Sequence, residues 1–170
     1  MDLQTFNLLP ADEAAAVAGV WAAVPWWIDA LVAARPFDSV EQLAQAADES
    51  ARQWTDADLD AALAHHPRIG QRPTGTGADA DASRREQAAM SSAGADIAER
   101  MAAANAAYEE RFGRVFLIRA AGRSPEEMLA ALERRLAADP ETETAEALDQ
   151  LREIALLRLH QSMTPTEETP

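Results

Sequence analysis

Apolar residues recur at helical spacing along most of this chain, and alanine fills many of the positions between them. Alanine has the highest intrinsic helix propensity, whereas the β-branched and aromatic residues that favour strands are sparse here. The 170 residues are enough for one domain with a substantial core. The sequence therefore predicts an all-α fold, with one compact domain of about eight helices over residues 1–163 and a disordered tail at residues 164–170.

Proline, glycine and capping residues predict where these helices begin and end. Residues 5–9 are expected to form a short entry segment, and Gly113 is expected to end a long helix. Residues 115–118 are the only strand candidate, because they form a short apolar run. The predicted helix starts are Pro10, Trp26, Ser39, Thr55, Ser83, Ala95, Ser124 and Pro140.

Composition excludes several classes of function. A net charge of −14, spread along the chain, argues against a basic face for nucleic acid or an anionic membrane. All 15 basic residues are arginine and there is no cysteine, so thiol nucleophiles, Schiff-base lysines and P-loop lysines are excluded. The chain shows no secretory signal and no apolar run long enough to span a membrane, and a cytoplasmic location is therefore expected.

His66 is the first candidate functional residue. It continues the apolar stripe of Leu59 and Leu63 on the helix that begins at Thr55, and Pro67 disfavours helical geometry at His66. The imidazole is therefore expected at a helix end, facing inward, where it is either a working histidine or a structural one. Adjacent histidines on a helix diverge, and no His-x-x-x-His spacing exists, so we predict no metal site.

Glu86 is the second candidate. The pattern Ser83-x-x-Glu86 is a capping box, in which the glutamate reaches back to the amide of the cap residue. Alternatively, Ser83, Glu86 and Gln87 present a hydroxyl, a carboxylate and an amide at one helix N-terminus, which suits an anionic, hydrogen-bonding ligand. The two interpretations are compatible.

Arg158 is the third candidate. It lies on the same helical face as Leu151 and Ile154, so an arginine is expected on an apolar stripe. Such a side chain either extends to solvent at the rim of the core or forms a buried clamp for an anion. The sequence pattern alone leaves both alternatives open, and the three candidates do not define a reaction.

The motif His66-Pro67-Arg68-Ile69-Gly70, followed by Ser83-x-x-Glu86-Gln87, resembles the OHCU decarboxylase family. That family acts on 2-oxo-4-hydroxy-4-carboxy-5-ureidoimidazoline. Further segments that resemble the family's landmarks are Phe6-Asn7 with Pro10, Arg35-Pro36-Phe37, Asn105-x-x-Tyr108, Arg111-Phe112-Gly113, Phe116-Leu117-Ile118, Gly122-Arg123-Ser124, Arg134-Arg135-Leu136 and Arg158-Leu159. The resemblance extends over most of the chain.

The resemblance implies an all-α homodimer that needs no cofactor and no metal and produces (S)-allantoin and CO₂ in urate catabolism. It implies that His66 is the catalytic proton donor, that Glu86 is its partner, and that Arg158 holds the anionic or carbonyl edge of the substrate. Pro67, Ser83 and Gln87 would line the site. The main chain of Phe116, Leu117, Ile118, Arg119 and Ala120 would hydrogen-bond the imidazoline ring.

The chain departs from the family pattern at one place. A glycine is expected soon after the Glu86-Gln87 pair, whereas Ala88-Ala89 follows it here. A related decarboxylase that acts on another ureide or purine-derived carboxylate is therefore an alternative. A catalytically idle helical interaction module, in which His66 and Arg158 are structural, is a third hypothesis.

Overall fold

A computed structural model describes residues 1–64, 68–69, 90 and 93–163, and within those residues the chain forms eight α-helices and no strand. The all-α prediction is confirmed. The helix predicted from Ser83 and the predicted tail at 164–170 lie outside the described residues. The helices are α1 Leu3–Leu8, α2 Ala11–Trp21, α3 Pro25–Ala33, α4 Val40–Ala51, α5 Asp56–Leu63, α6 Ala95–Phe112, α7 Pro125–Leu136 and α8 Pro140–Ser162.

The predicted entry segment is instead helix α1. The Asp2 side chain accepts hydrogen bonds from both the amide and the hydroxyl of Thr5, which caps the first turn. A helix of six residues needs tertiary support, because its own hydrogen bonds do not offset the cost of nucleation. Asn7 supplies that support by exchanging two hydrogen bonds with the main chain of Phe37, at 2.8 and 3.0 Å.

Helix α8 lies at the centre of the larger core and packs against α2, α4 and α5. Four aromatic rings cross this core in a row, with centroids 5.4 to 6.4 Å apart, and they belong to Phe6, Trp21, Trp27 and Trp54. These are tilted or edge-to-face contacts, which add to the stabilisation that burial provides. None of the described helices is long and apolar enough to cross a membrane.

Helices α6 and α7 pack against each other and enclose a second, smaller core. Met101 and Tyr108 of α6 contribute to this core, together with Met128 and Leu132 of α7. The predicted stop of α6 is confirmed, because Gly113 adopts the left-handed conformation at φ +72° as the C-terminal cap.

Residues 115–120 run between the two cores, and the strand prediction at residues 115–118 is wrong. Leu117 belongs to the larger core, whereas its neighbours Phe116 and Ile118 belong to the smaller one. This alternation resembles a strand. Within the described residues, however, no second strand pairs with it, and side chains take the place of a hydrogen-bonded ladder.

Two glycine-to-alanine substitutions should change stability in opposite directions. Gly113→Ala forces an L-residue into the left-handed region and should lower the free energy of unfolding by about 1 kcal/mol. Gly19→Ala, inside α2, places the new methyl 3.8 Å from Ile28 and should raise it by about 0.5–1 kcal/mol. Urea unfolding of both variants measures the difference, and equal signs would contradict this account.

Candidate active site

The site residues predicted from sequence divide into two groups. His66, Pro67, Ser83, Glu86 and Gln87 lie outside the described residues. The structure does describe the segment 116–120, Arg158, and the dipeptide Arg68-Ile69 that follows the histidine motif. These three parts make up the described portion of the candidate site.

The main chain of segment 116–120 is held first by a buried ion pair. Arg135 of α7 and Glu143 of α8 are 0% and 2% exposed, and Nε of Arg135 lies 2.9 Å from Oε2 of Glu143. The same guanidinium donates through Nη1 to the carbonyl of Leu117 over 2.7 Å. It also lies 4.7 Å from the centre of the Phe116 ring. One arginine therefore ties α7 and α8 to this segment.

Tyr108 of α6 forms a buried polar group together with Arg135 and Glu143. Its hydroxyl donates to Oε1 of Glu143, and its ring packs edge-on against Phe116 with centroids 5.3 Å apart. Burial raises the pKa of the Tyr108 phenol strongly, and the hydrogen bond to the Glu143 carboxylate raises it further. The phenol is therefore a fixed donor at neutral pH, and it links α6 to the same carboxylate.

Gln150 of α8 provides the second hold on the segment. Its Oε1 accepts the Arg119 amide over 3.0 Å. The Arg119 side chain is directed to Glu153 and the Ala121 carbonyl, at 2.8 and 3.0 Å, so only its main chain belongs to this array. The Leu117 carbonyl and the Arg119 amide thus have protein partners.

Among the main-chain donors of segment 116–120, only the Arg119 amide has an acceptor within the described residues. The Ile118 and Ala120 amides flank it and, like those of Phe116 and Leu117, donate to no described residue. Ile118 and Ala120 are buried, at 6% and 1% exposed. The partners at Leu117 and Arg119 hold the main chain on both sides of Ile118, so its N–H has a fixed direction before any ligand binds.

Arg158 is buried at 6% exposed, which excludes the arrangement in which it extends to solvent at the rim. Its Nη1 donates to the Val20 carbonyl over 2.9 Å, in the last turn of α2, where helix carbonyls lack intrahelical partners. Arg158 also lines a cleft of about 250 Å³ between α2, α5 and α8, together with Gly19, Ala62 and Ile154.

Helix α8 carries both Arg158 and Gln150, the residue that holds segment 116–120, although the cleft that Arg158 lines includes no residue of that segment. Gln150, Ile154 and Arg158 follow one another at four-residue spacing, so they share a face of the helix. A rise of 1.5 Å per residue places Arg158 roughly 12 Å along the axis from Gln150. An extended arginine side chain and the five-membered ring of a bound ligand together have about this length.

The third part of the site is the dipeptide Arg68-Ile69 against α6. Both guanidinium nitrogens Nε and Nη2 of Arg68 donate to the Glu109 carboxylate, the second over 2.6 Å. Nδ2 of Asn105 donates to the Ile69 carbonyl over 3.2 Å. A cleft of about 440 Å³ adjoins these contacts and is lined by Ile69, Met101, Asn105 and Glu109.

Sequence reasoning missed the roles of Asn105, Arg135 and Gln150. Asn105 was noted only as part of a family landmark, although it interrupts the apolar stripe of Met101 and Tyr108 on α6. A polar residue on a buried stripe needs a partner, and that rule would have selected it.

Within the described residues no three acidic or histidine side chains come close enough to hold a metal ion. The adjacent histidines His65 and His66, from which no metal site was predicted, lie outside the described residues.

Comparisons with known proteins agree on one family. The OHCU decarboxylase family model matches residues 7–160. A protein of Haloferax volcanii is 32% identical over 162 residues, which cover 94% of each chain, and one of Amia calva is 32% identical over 94% of this chain and 93% of its own. Both relatives are named 2-oxo-4-hydroxy-4-carboxy-5-ureidoimidazoline decarboxylase.

Solved structures are similar in fold. An OHCU decarboxylase crystallised in the presence of (S)-allantoin has a TM-score of 0.72 at 24% identity, covering 84% of this chain and 94% of its own. An (S)-allantoin synthase has a TM-score of 0.70 at 23% identity; the match covers 96% of this chain and 54% of the synthase.

Titration of Tyr108 should report on the buried polar group. It is the only tyrosine, and the chain has no lysine or cysteine, so no other side chain titrates near pH 10. Because the folded-state pKa is raised, the folded protein keeps a proton that the unfolded chain loses above about pH 10. The stabilisation is fully present below that pH, and the free energy of unfolding should fall as the pH rises above it.

Near-ultraviolet absorbance of phenolate, with urea unfolding at a series of alkaline pH values, measures both effects. Tyr108→Phe is the control and should remove the absorbance change and the decline in stability above about pH 10. A phenol that ionises at the same pH in the folded and unfolded protein would contradict the assignment.

Proposed function

The chain belongs to the OHCU decarboxylase family, and we propose that it converts 2-oxo-4-hydroxy-4-carboxy-5-ureidoimidazoline into (S)-allantoin and CO₂ in urate degradation, without a cofactor. The observation that carries this proposal is the similarity to relatives of that name over 94% of the chain. The buried, doubly held segment 116–120 and the buried Arg158 add a fixed polar surface of the kind that such a reaction needs.

The substrate explains why the protein needs little chemistry of its own. When the bond between C4 and the carboxylate breaks and CO₂ leaves, the electron pair moves toward the adjoining C5=N bond of the ring and gives an enol-like intermediate. C5 then takes a proton and becomes the stereocentre of allantoin, while the C4 hydroxyl loses its proton and becomes the ring carbonyl. The protein has to orient the carboxylate, stabilise the developing oxyanion and deliver one proton to one face. An absence of lysine and cysteine is compatible with this task.

We assign the proton chemistry to the histidine motif. His66 delivers the proton to one face of the intermediate, which sets the (S) configuration, and Glu86 is its partner in proton transfer. Pro67, Ser83 and Gln87 line the site. These roles follow from the family resemblance of the motif.

We assign substrate orientation to the described residues. The amides of Ile118 and Ala120 bind acceptor atoms of the imidazoline ring, because they flank the held Arg119 amide and, like those of Phe116 and Leu117, donate to no described residue. The main chain of Phe116, Leu117 and Arg119 shapes the same wall. Arg158 holds the carboxylate or carbonyl edge, because a buried guanidinium is a strong binding group for planar oxyanions.

The proposal also includes a homodimer in the cytoplasm that acts on a small molecule and uses neither metal nor nucleic acid. The absence of cysteine is compatible with a reducing compartment. Light scattering distinguishes a dimer from the 18.3 kDa monomer, and activity that survives exhaustive chelation would support metal independence.

Replacement of the proposed proton donor should abolish most of the activity. General acid catalysis contributes about 10²–10⁴-fold, so His66→Ala should lower kcat by at least about 100-fold. The matched control is His160→Ala, because His160 is exposed near the end of α8 and should leave kcat within about twofold. The assay follows (S)-allantoin by circular dichroism with freshly generated substrate.

Two results would contradict the proposal. A wild-type protein that does not accelerate formation of (S)-allantoin would exclude the activity. Full activity of His66→Ala, with helical content unchanged in the far ultraviolet, would exclude the role assigned to His66 and leave the activity standing.

A further inference from the structure

A buried asparagine of α6 holds the main chain that follows the histidine motif. Asn105 is 4% exposed, and its Nδ2 donates to the Ile69 carbonyl over 3.2 Å. Ile69 is the third residue after His66 in the sequence, and Pro67 restricts the backbone between them. Among the described contacts, this hydrogen bond holds the main chain that follows the proposed proton donor, three residues after it.

Two further contacts anchor the same dipeptide. Arg68 forms a two-nitrogen ion pair with Glu109, which lies one helical turn after Asn105. The side chain of Ile69 is buried in the core between α6 and α7. The ion pair is half-exposed and contributes little by itself, whereas the hydrogen bond from Asn105 is buried. The asparagine is therefore the principal polar anchor.

The helix that carries Asn105 is itself fixed. Helix α6 packs along α7, and three residues after Asn105 the Tyr108 hydroxyl donates to buried Glu143. The position of the amide group is consequently tied to the buried group that holds segment 116–120. Helix α6 thus contacts both the residues that hold segment 116–120 and the Ile69 carbonyl that follows the histidine motif.

The other end of the Asn105 amide shows that packing alone does not explain this residue. Its Oδ1 is buried and has no hydrogen-bond partner, and Asn105 lines the cleft of about 440 Å³. Exchange of Oδ1 and Nδ2 would bring two oxygens together at the Ile69 carbonyl, so the orientation is determined. A leucine would fill a similar volume without a buried unpaired carbonyl group.

We propose that Asn105 is a positioning residue for His66, acting through the Ile69 carbonyl. This inference rests on the proposed function. A proton donor must be held close to its productive geometry, and small displacements that originate away from the reacting atoms lower the rate. Loss of the Asn105 donor releases the main chain at Ile69 and changes the orientation of the His66 imidazole relative to the substrate. It removes no group to which substrate binding is assigned.

The test uses two substitutions at Asn105. Asn105→Leu removes the donor and fills the volume, and Asn105→Asp is nearly isosteric but cannot donate to the Ile69 carbonyl. Both should lower kcat by about 10- to 100-fold, because a misplacement of about 1 Å at the reacting groups can lower the rate by about 10²-fold. KM should change by less than about threefold, because substrate contacts remain. The enantiomeric excess of (S)-allantoin, corrected for the uncatalysed reaction, should fall because delivery to one face is less strict.

Asn7→Leu is the matched control. Nδ2 of Asn7 likewise donates to a main-chain carbonyl thirty residues away, that of Phe37, at 2.8 Å, but this contact anchors α1. The control should lower the midpoint of thermal unfolding while kcat and enantiomeric excess stay within about twofold of wild type.

The outcomes separate this inference from the proposed function. An active wild type with unchanged kcat in both Asn105 variants overturns the positioning role alone. A loss of activity that only follows the unfolded fraction, as in the control, also overturns it. If Asn105→Leu does not fold, Asn105→Asp decides. An inactive wild type overturns the proposed function, and the positioning role with it.

Discussion

The buried pair of Arg135 and Glu143 is the interaction on which the described part of the site depends. It joins α7 to α8, and Tyr108 adds α6 through the same carboxylate. Removal of one charge from such a pair typically costs about 3–5 kcal/mol, because the other charge is left buried without a partner. Each partner of the ion pair also has a further hydrogen bond, since the carboxylate accepts from Tyr108 and the guanidinium donates to the Leu117 carbonyl.

The buried hydrogen bonds allow the irregular segment 116–120 to lie between the two cores of a helical protein. Residues 116–120 are buried by two cores, where unpaired main-chain groups are costly. Arg135 and Gln150 satisfy the Leu117 carbonyl and the Arg119 amide from two different helices. The segment is thereby held without a neighbouring strand in the described structure, and the Ile118 amide points in a fixed direction. A rigid set of donors of this kind suits a reaction in which the substrate supplies its own electron sink.

Local signals predicted much of the fold. Ser124 and Thr55 cap their helices through capping boxes, and Gly113 ends α6, because such contacts lie within four residues in the sequence. Contacts over longer separations could not be predicted in this way. Asn105 reaches Ile69 over 36 residues, and Asn7 reaches Phe37 over 30, so neither the support for α1 nor the anchor after the histidine motif was recognised. The strand prediction failed because alternation reports burial on two sides, whichever groups satisfy the main chain.

For the site, the sequence left two arrangements open for Arg158, and its burial excludes the one at the rim of the core. The role of Arg158 as an anion clamp stays a prediction. His66 and Glu86 remain predictions, since they lie outside the described residues. The Arg119 amide could be set apart from the other donors of the segment only once its bond to Gln150 was known, because a sequence motif does not indicate which amides are already bonded.

The most direct test of this account is heteronuclear NMR of the labelled protein titrated with (S)-allantoin. The account predicts that the amide resonances of Ile118 and Ala120 shift most as the product binds. The Arg119 amide, already bonded to Gln150, should shift least of the three. Saturable binding that leaves the Ile118 and Ala120 amides unmoved would contradict the claim that the buried ion pair holds these donors ready for the ligand.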